Sequence, residues 1–183
     1  KLVGYASEAY KTAGVSANEY MSIVTSFSAS LLQSLGGYTD AAADVANDAL
    51  IDMSDNANKM GTSMESIQNA YQGFAKQNYT MLDNLKLGYG GTKTEMERLL
   101  ADATKISGVK YDIKSLNDVY QAIRVIQGEL GITGTTSKEA STTLSKPRRG
   151  RKNKNLGDDS SIPKERNGFV YSPYVIWQFM RIV

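Results

Sequence analysis

Apolar positions recur at helical spacing along most of the chain, and glycine punctuates them. The opening block, residues 2–13, stops at Gly14, with Val15 placed for the apolar contact of a Schellman ending. In the second block Tyr20, Ile23, Val24, Phe27, Leu31 and Leu35 form one continuous stripe, which Gly36 and Gly37 close. A third helix starts at Thr39 or Asp40 and ends at Gly61. Ala42, Val45, Ala46, Ala49, Leu50, Met53, Ala57 and Met60 line one of its faces. The acids Asp40, Asp44, Asp48, Asp52 and Asp55 lie opposite at near-helical spacing, which reads as a solvated face. Met64, Ile67, Tyr71 and Phe74 or Ala75 form the next stripe.

Between residues 79 and 91 the pattern weakens, and Gly88, Gly90 and Gly91 mark a loop. Residues 93–107 form a helix with Met96, Leu99, Leu100 and Ala103 inward. The alternation of Val109, Tyr111 and Ile113 then suits a short extended connector. Ser115 caps residues 116–130, whose stripe is Val119, Ala122, Ile123, Ile126 and Leu130. A last helix runs from Thr136 through Leu144, and Pro147 stops it. Four S/T-x-x-E boxes open predicted helices: Ser16 with Glu19, Thr62 with Glu65, Thr92 with Glu95, and Thr136 with Glu139. Each serine or threonine can accept from a first-turn N–H while the glutamate reaches back, so helix capping outranks a phosphorylation or acidic motif. The pattern predicts an all-α, antiparallel multi-helix bundle of about six helices over residues 1–145.

Composition narrows the chemistry. Among 183 residues there is neither cysteine nor histidine, which excludes thiolate catalysis, zinc ribbons, histidine-based triads and imidazole haem ligation. Catalysis would require paired carboxylates in a cleft, and on this pattern the carboxylates sit on polar helix faces, so the reading is not an enzyme. No cofactor or metal is expected. The Gly88–Gly91 cluster lacks the GK[ST] ending of a phosphate loop. The aspartate row does not have the order of a calcium-binding loop. Methionines 21, 53, 60, 64, 81 and 96 mostly fall on the stripes as core filling, with an adaptable partner surface as the minority role.

Charge divides the chain. Residues 1–145 carry 12 Lys and Arg against 16 Asp and Glu, whereas residues 146–183 carry 9 against 3. Residues 146–168 read as a basic, polar, disordered linker, and residues 169–183 as a short apolar segment. Within the linker Lys146, Arg148, Arg149, Arg151, Lys152 and Lys154 could grip phosphates as a weak nucleic-acid contact. No stretch has the ~18 consecutive apolar residues of a spanning helix, so no membrane contact is expected of this segment. The chain opens on Lys1 and reads as a piece of a longer protein.

Several long runs carry a family resemblance. Residues 9–21 (A-Y-K-T-A-G-V-S-A-N-E-Y-M) and 26–37 (S-F-S-A-S-L-L-Q-S-L-G-G) resemble the core region of phage tail tape-measure proteins. The similarity extends through residues 52–62, 67–92, 95–103 and 126–143, and so covers roughly residues 1–145. It implies a virion structural protein that sets tail length, assembles in the host cytoplasm, and works through self-association and contact with other tail proteins. At Ser145 the chain departs from that family, whose last helix continues where this one gives Lys146, Pro147, Arg148 and Arg149. We hypothesise a shifted reading frame or a recombined gene end, and a nucleotide sequence with no alternative frame encoding a helical continuation excludes it. The packing stripe of the proposed segment is Tyr20, Ile23, Phe27, Leu31, Val119, Ile123 and Ile126. Two alternatives remain, a small helical binding module whose basic tail contacts nucleic acid and, weaker, a peptidoglycan hydrolase.

Overall fold

The computed structural model describes residues 1–145. The linker and apolar segment predicted for residues 146–168 and 169–183, and the six basic residues from Lys146 to Lys154, lie outside the described residues. Among the described residues the fold is all-α, with no strand. The α-helices are α1 (Leu2–Ala13), α2 (Ala17–Ser34), α3 (Thr39–Met60), α4 (Met64–Ala75), α5 (Lys93–Ser107), α6 (Leu116–Glu129) and α7 (Thr135–Ser145), with a 3₁₀ turn at Leu82–Leu85. That is one α-helix more than the six or so expected, besides the 3₁₀ turn.

Three of the helices, α1, α3 and α5, end on a left-handed glycine. Gly14, Gly61 and Gly108 return their N–H groups to Tyr10, Ala57 and Thr104. Ser16 and Ser115 cap α2 and α6 through the Glu19 and Asp118 N–H groups. Thr92 caps α5 in the same way, whereas the Thr62 and Thr136 boxes differ from the sequence expectation. Thr92 accepts from the Glu95 N–H at 3.2 Å, but the Glu95 carboxylate accepts from Gly90 and pairs with Arg98. At α4 the cap is Ser63, which accepts from the Ser66 N–H, while the Thr62 hydroxyl is drawn off to the Asn84 carbonyl at 3.2 Å. Thr136 lies inside α7 and caps nothing, because another helix supplies that cap.

α3 is the hub of the packing, with α1, α2, α4, α6, α7 and the 3₁₀ turn against it, while α5 packs on α6. The stripe residues Tyr20, Ile23, Phe27, Leu31, Val119, Ile123 and Ile126 are all buried. At the α2–α4–α6 junction three rings meet, Tyr120 edge-on to Phe27 at 5.7 Å and tilted on Tyr71 at 5.0 Å between centroids. Such aromatic pairs add about 0.5–1.5 kcal/mol each beyond area burial.

The stretch expected as a plain loop between residues 79 and 91 also belongs to the core. Tyr79, Leu82, Leu85 and Leu87 are buried, and the Tyr79 hydroxyl donates to the Ile113 carbonyl. Its apolar residues follow the short period of a 3₁₀ turn rather than the 3.6-residue helix period, so they form no recognisable stripe. Gly91 closes this segment, and a Cβ there would stand 2.1 Å from the Thr80 carbonyl oxygen. In the connector before α6, Tyr111 and Ile113 pack on the core while Val109 is exposed.

Two alanine substitutions separate these roles. Gly4 sits within α1 with nothing near its missing Cβ, so Gly4→Ala raises stability by about 0.5–1 kcal/mol. Gly91→Ala, forced against backbone, lowers it by about 1–3 kcal/mol. Urea unfolding of both variants beside the wild type checks the two signs.

Candidate functional site

Polar side chains are concentrated inside this fold along the C-terminal half of α3, where Asp52, Ser54, Asp55 and Asn56 are all buried. With Met53 between them they make five consecutive buried residues. At 100° per residue, five positions sweep the full circumference of a helix. α3 is therefore enclosed on every side here, which corrects the expectation of a solvated aspartate face. Asp40 remains exposed, and Asp44 and Asp48 are half-buried. Asp52 is 2% exposed and Asp55 0%.

Each buried group meets a different element. Both Asp52 carboxylate oxygens accept from Arg124 Nη1 of α6 at 3.2 Å, and the same nitrogen lies 3.6 Å from the Asp48 carboxylate. Burial dominates at Asp52 and pushes its pKa up to about 7, against the pull of the Arg124 charge. The Asn56 amide donates to the Leu85 carbonyl at 3.0 Å and anchors the 3₁₀ turn.

Asp55 supplies the cap that α7 lacks in its own sequence. Its carboxylate accepts from the Gly134 N–H at 2.6 Å and the Thr136 N–H at 2.8 Å. The Thr135 hydroxyl donates to the Asp55 main-chain carbonyl at 3.2 Å. A carboxylate at a helix N-terminus satisfies orphan N–H groups and complements the helix dipole. Two further buried contacts cross between α4 and α6. Gln127 donates to the Tyr71 hydroxyl at 3.3 Å, and the Tyr120 hydroxyl donates to the Tyr71 carbonyl at 3.0 Å. Burial raises the Tyr71 and Tyr120 pKa values well above the usual phenol range. Near the chain start, Asp44 accepts from Lys1 at 2.8 Å and Tyr5 at 2.5 Å, which holds its carboxyl below the usual range.

A groove of about 490 Å³ opens beside this seam, lined by Tyr10, Val15, Glu19, Met64, Thr136 and Glu139 among others. The Ser54 and Thr136 hydroxyls are buried at its edge without a hydrogen-bond partner. Neither Asp52 nor Asp55 lines it. Their oxygens are engaged by protein donors and closed from solvent, so these two carboxylates tie α3 to α6 and α7. Among the described residues no cluster of three acidic side chains suits a metal ion.

The structure gathers Asp52, Asp55, Asn56, Tyr71, Arg124 and Gln127, none of which the sequence pattern marks as a site residue. The available signal was the opposite of the usual one: Asp52 and Asp55 read as surface in a helix that is in fact surrounded there. Compared with protein families, curated proteins and solved structures, the chain matches none. The resemblance to tape-measure proteins thus stands on the residue runs alone.

The seam yields two expected outcomes. Asp55→Ala orphans the α7 N-terminus and costs about 1–3 kcal/mol, with amide exchange accelerated first at residues 134–142. For Asp52 the folded state favours the proton, because the pKa near 7 exceeds the 3.8 of an unperturbed aspartate. Its contribution to stability is full below about pH 4 and is lost as pH rises through about 7. The stability of Asp52→Asn relative to wild type therefore rises between pH 5 and pH 8, with a slope up to about 1.4 kcal/mol per unit. Urea titrations of both proteins across that range measure the slope.

Proposed function

We propose that this chain is a structural segment of a phage tail tape-measure protein, acting through helix packing in tail-length determination and tail assembly. The observation that carries the reading is how the buried polar groups are used. Asp52, Asp55 and Asn56 each join α3 to a different element rather than facing a cleft. A protein whose task is to occupy length and pack against copies needs such cross-ties and no reactive constellation. The runs of residues resembling the tape-measure core support the same reading. Its partners would be further copies and other tail proteins, in the virion tail after assembly in the host cytoplasm. Among the described residues no helix is long and apolar enough to cross a membrane.

Tail length tests the proposal. In a phage carrying this chain, an in-frame duplication of residues 1–145 lengthens the tail. The limit is about 220 Å if the segment runs as one helix at about 1.5 Å per residue, and far less if each copy stays folded as a bundle. Electron microscopy of the virions measures it, and tails of unchanged length overturn the reading. The nucleic-acid alternative rests on Lys146, Arg148, Arg149, Arg151, Lys152 and Lys154. It requires salt-sensitive DNA binding that disappears on removal of residues 146–155.

A further inference from the structure

Among the described residues the large apolar side chain most open to solvent is Tyr38, 74% exposed in the turn between α2 and α3. Gly36 and Gly37 precede it, both at positive φ, so the two residues before the ring carry no side chain to cover it. A Cβ at Gly36 would lie 3.9 Å from the ring, which rests over that bare turn. α2 and α3 pack side by side as a hairpin, and Tyr38 stands at its bend.

The groove beside the α3 seam, about 490 Å³, has chemistry that suits such a side chain. Val15, Ala57 and Met64 give it apolar walls. Ser54, 7% exposed, and Thr136 bring to its edge hydroxyls that have no hydrogen-bond partner. A tyrosine offers an apolar ring to the walls and a phenol hydroxyl that both donates and accepts. Tyr38 does not reach the groove of its own chain. α2 lines it only through its first turn, at Glu19, and α3 only from Ser54 onward. The run of α3 from Tyr38 to Ser54 spans about 24 Å at about 1.5 Å per residue. Charge favours a meeting of the two ends. The charged residues lining the groove, Glu19 and Glu139, are both acids. Beside the Tyr38 turn, the depression lined by Gln33 and Ser34 has Lys114 as its charged lining residue. Asp40, in the first turn of α3, works against this pairing.

We propose that Tyr38 of one copy of this chain enters the groove of the next copy, as a head-to-tail contact. Turn and groove lie at opposite ends of the α2–α3 hairpin, so every pair leaves one turn and one groove available, and the contact repeats without closing. A single aromatic side chain buries about 150–250 Å², against about 800 Å² per partner in a standard interface. The contact is therefore weak and reversible, and it favours open series over fixed dimers. It deepens the reading of this chain as one that packs against its own copies, and it rests on that reading. Its test stands apart from tail length: a chain that stays monomeric in solution removes this contact and leaves the duplication result to be judged separately.

Sedimentation equilibrium of full-length chains tests it. The wild type should form an open series of oligomers at about 0.1–1 mM, as a contact with one aromatic anchor implies. Two variants each remove one side. Tyr38→Ser deletes the ring and leaves a favoured capping residue before α3. Asn58→Trp, at an exposed position lining the groove, fills it. Each alone should associate about tenfold more weakly than the wild type. Mixed, they should form a one-to-one pair and nothing longer, because only one intact turn and one intact groove remain between them. Tyr38→Phe, which keeps the ring and loses the hydroxyl, should weaken association about 3–10-fold and decides the matter should Asn58→Trp not fold. A wild type that is monomeric at these concentrations overturns the proposal. So does association that survives Tyr38→Ser, which would place it on another surface, residues 146–183 included. A wild type that stops at a dimer, or two folded variants that fail to pair when mixed, overturns the head-to-tail order.

Discussion

A helix can hide a few polar side chains by turning them toward solvent, but α3 has no such freedom over residues 52–56. Five consecutive buried positions leave no outward direction, so a polar group here is either satisfied from within the protein, as Asp52, Asp55 and the Asn56 amide are, or left unpaired at a cost, as the Ser54 hydroxyl is. That requirement governs the surrounding architecture. α6 must bring Arg124 to Asp52, the 3₁₀ turn must bring the Leu85 carbonyl to Asn56, and the joint before α7 must bring the Gly134 and Thr136 N–H groups to Asp55. Apolar stripes press these elements together, and the polar groups decide which element lies where.

The energies of these ties differ in kind. Ion pairs at the surface, such as Lys11 with Glu8 and Lys105 with Asp102, join neighbours on one helix and contribute about 0–1 kcal/mol each. Asp52 with Arg124 joins α3 to α6 over a buried carboxylate. There desolvation cancels much of the Coulomb attraction, whereas removing one partner costs about 3–5 kcal/mol. Such a pair adds little net stability while penalising any arrangement that separates it. The Asn56 and Gln127 side-chain oxygens find no partner among the described residues. The seam is thus incompletely satisfied.

The outline of this fold was legible because most of its helices carry three or more apolar residues on a single face and stop at a glycine. The α2 stripe from Tyr20 to Leu31 and the α6 stripe from Val119 to Ile126 are of this type. Illegibility began where local pattern and tertiary position disagree. Thr136 and Glu139 have the spacing of a capping box, yet the cap comes from Asp55, far away in sequence. Thr62 was displaced from its capping role by a carbonyl in the 3₁₀ turn. The aspartates of α3 resemble a wetted face because amphipathicity registers only one neighbour per helix, and α3 has six elements around it.

The tie between Asp55 and Gly134 spans 79 residues of chain, and this separation imposes an order on biosynthesis. A nascent chain emerges N-terminus first, so the α3 carboxylate leaves the ribosome long before the N–H groups that neutralise its burial. Until then water must serve as its partner, and the C-terminal half of α3 has to stay open to solvent. Completion of the interior is therefore deferred until residues 134–136 arrive. The last described helix works as a closing piece, and a chain interrupted before it retains a hydrated gap in place of a finished core.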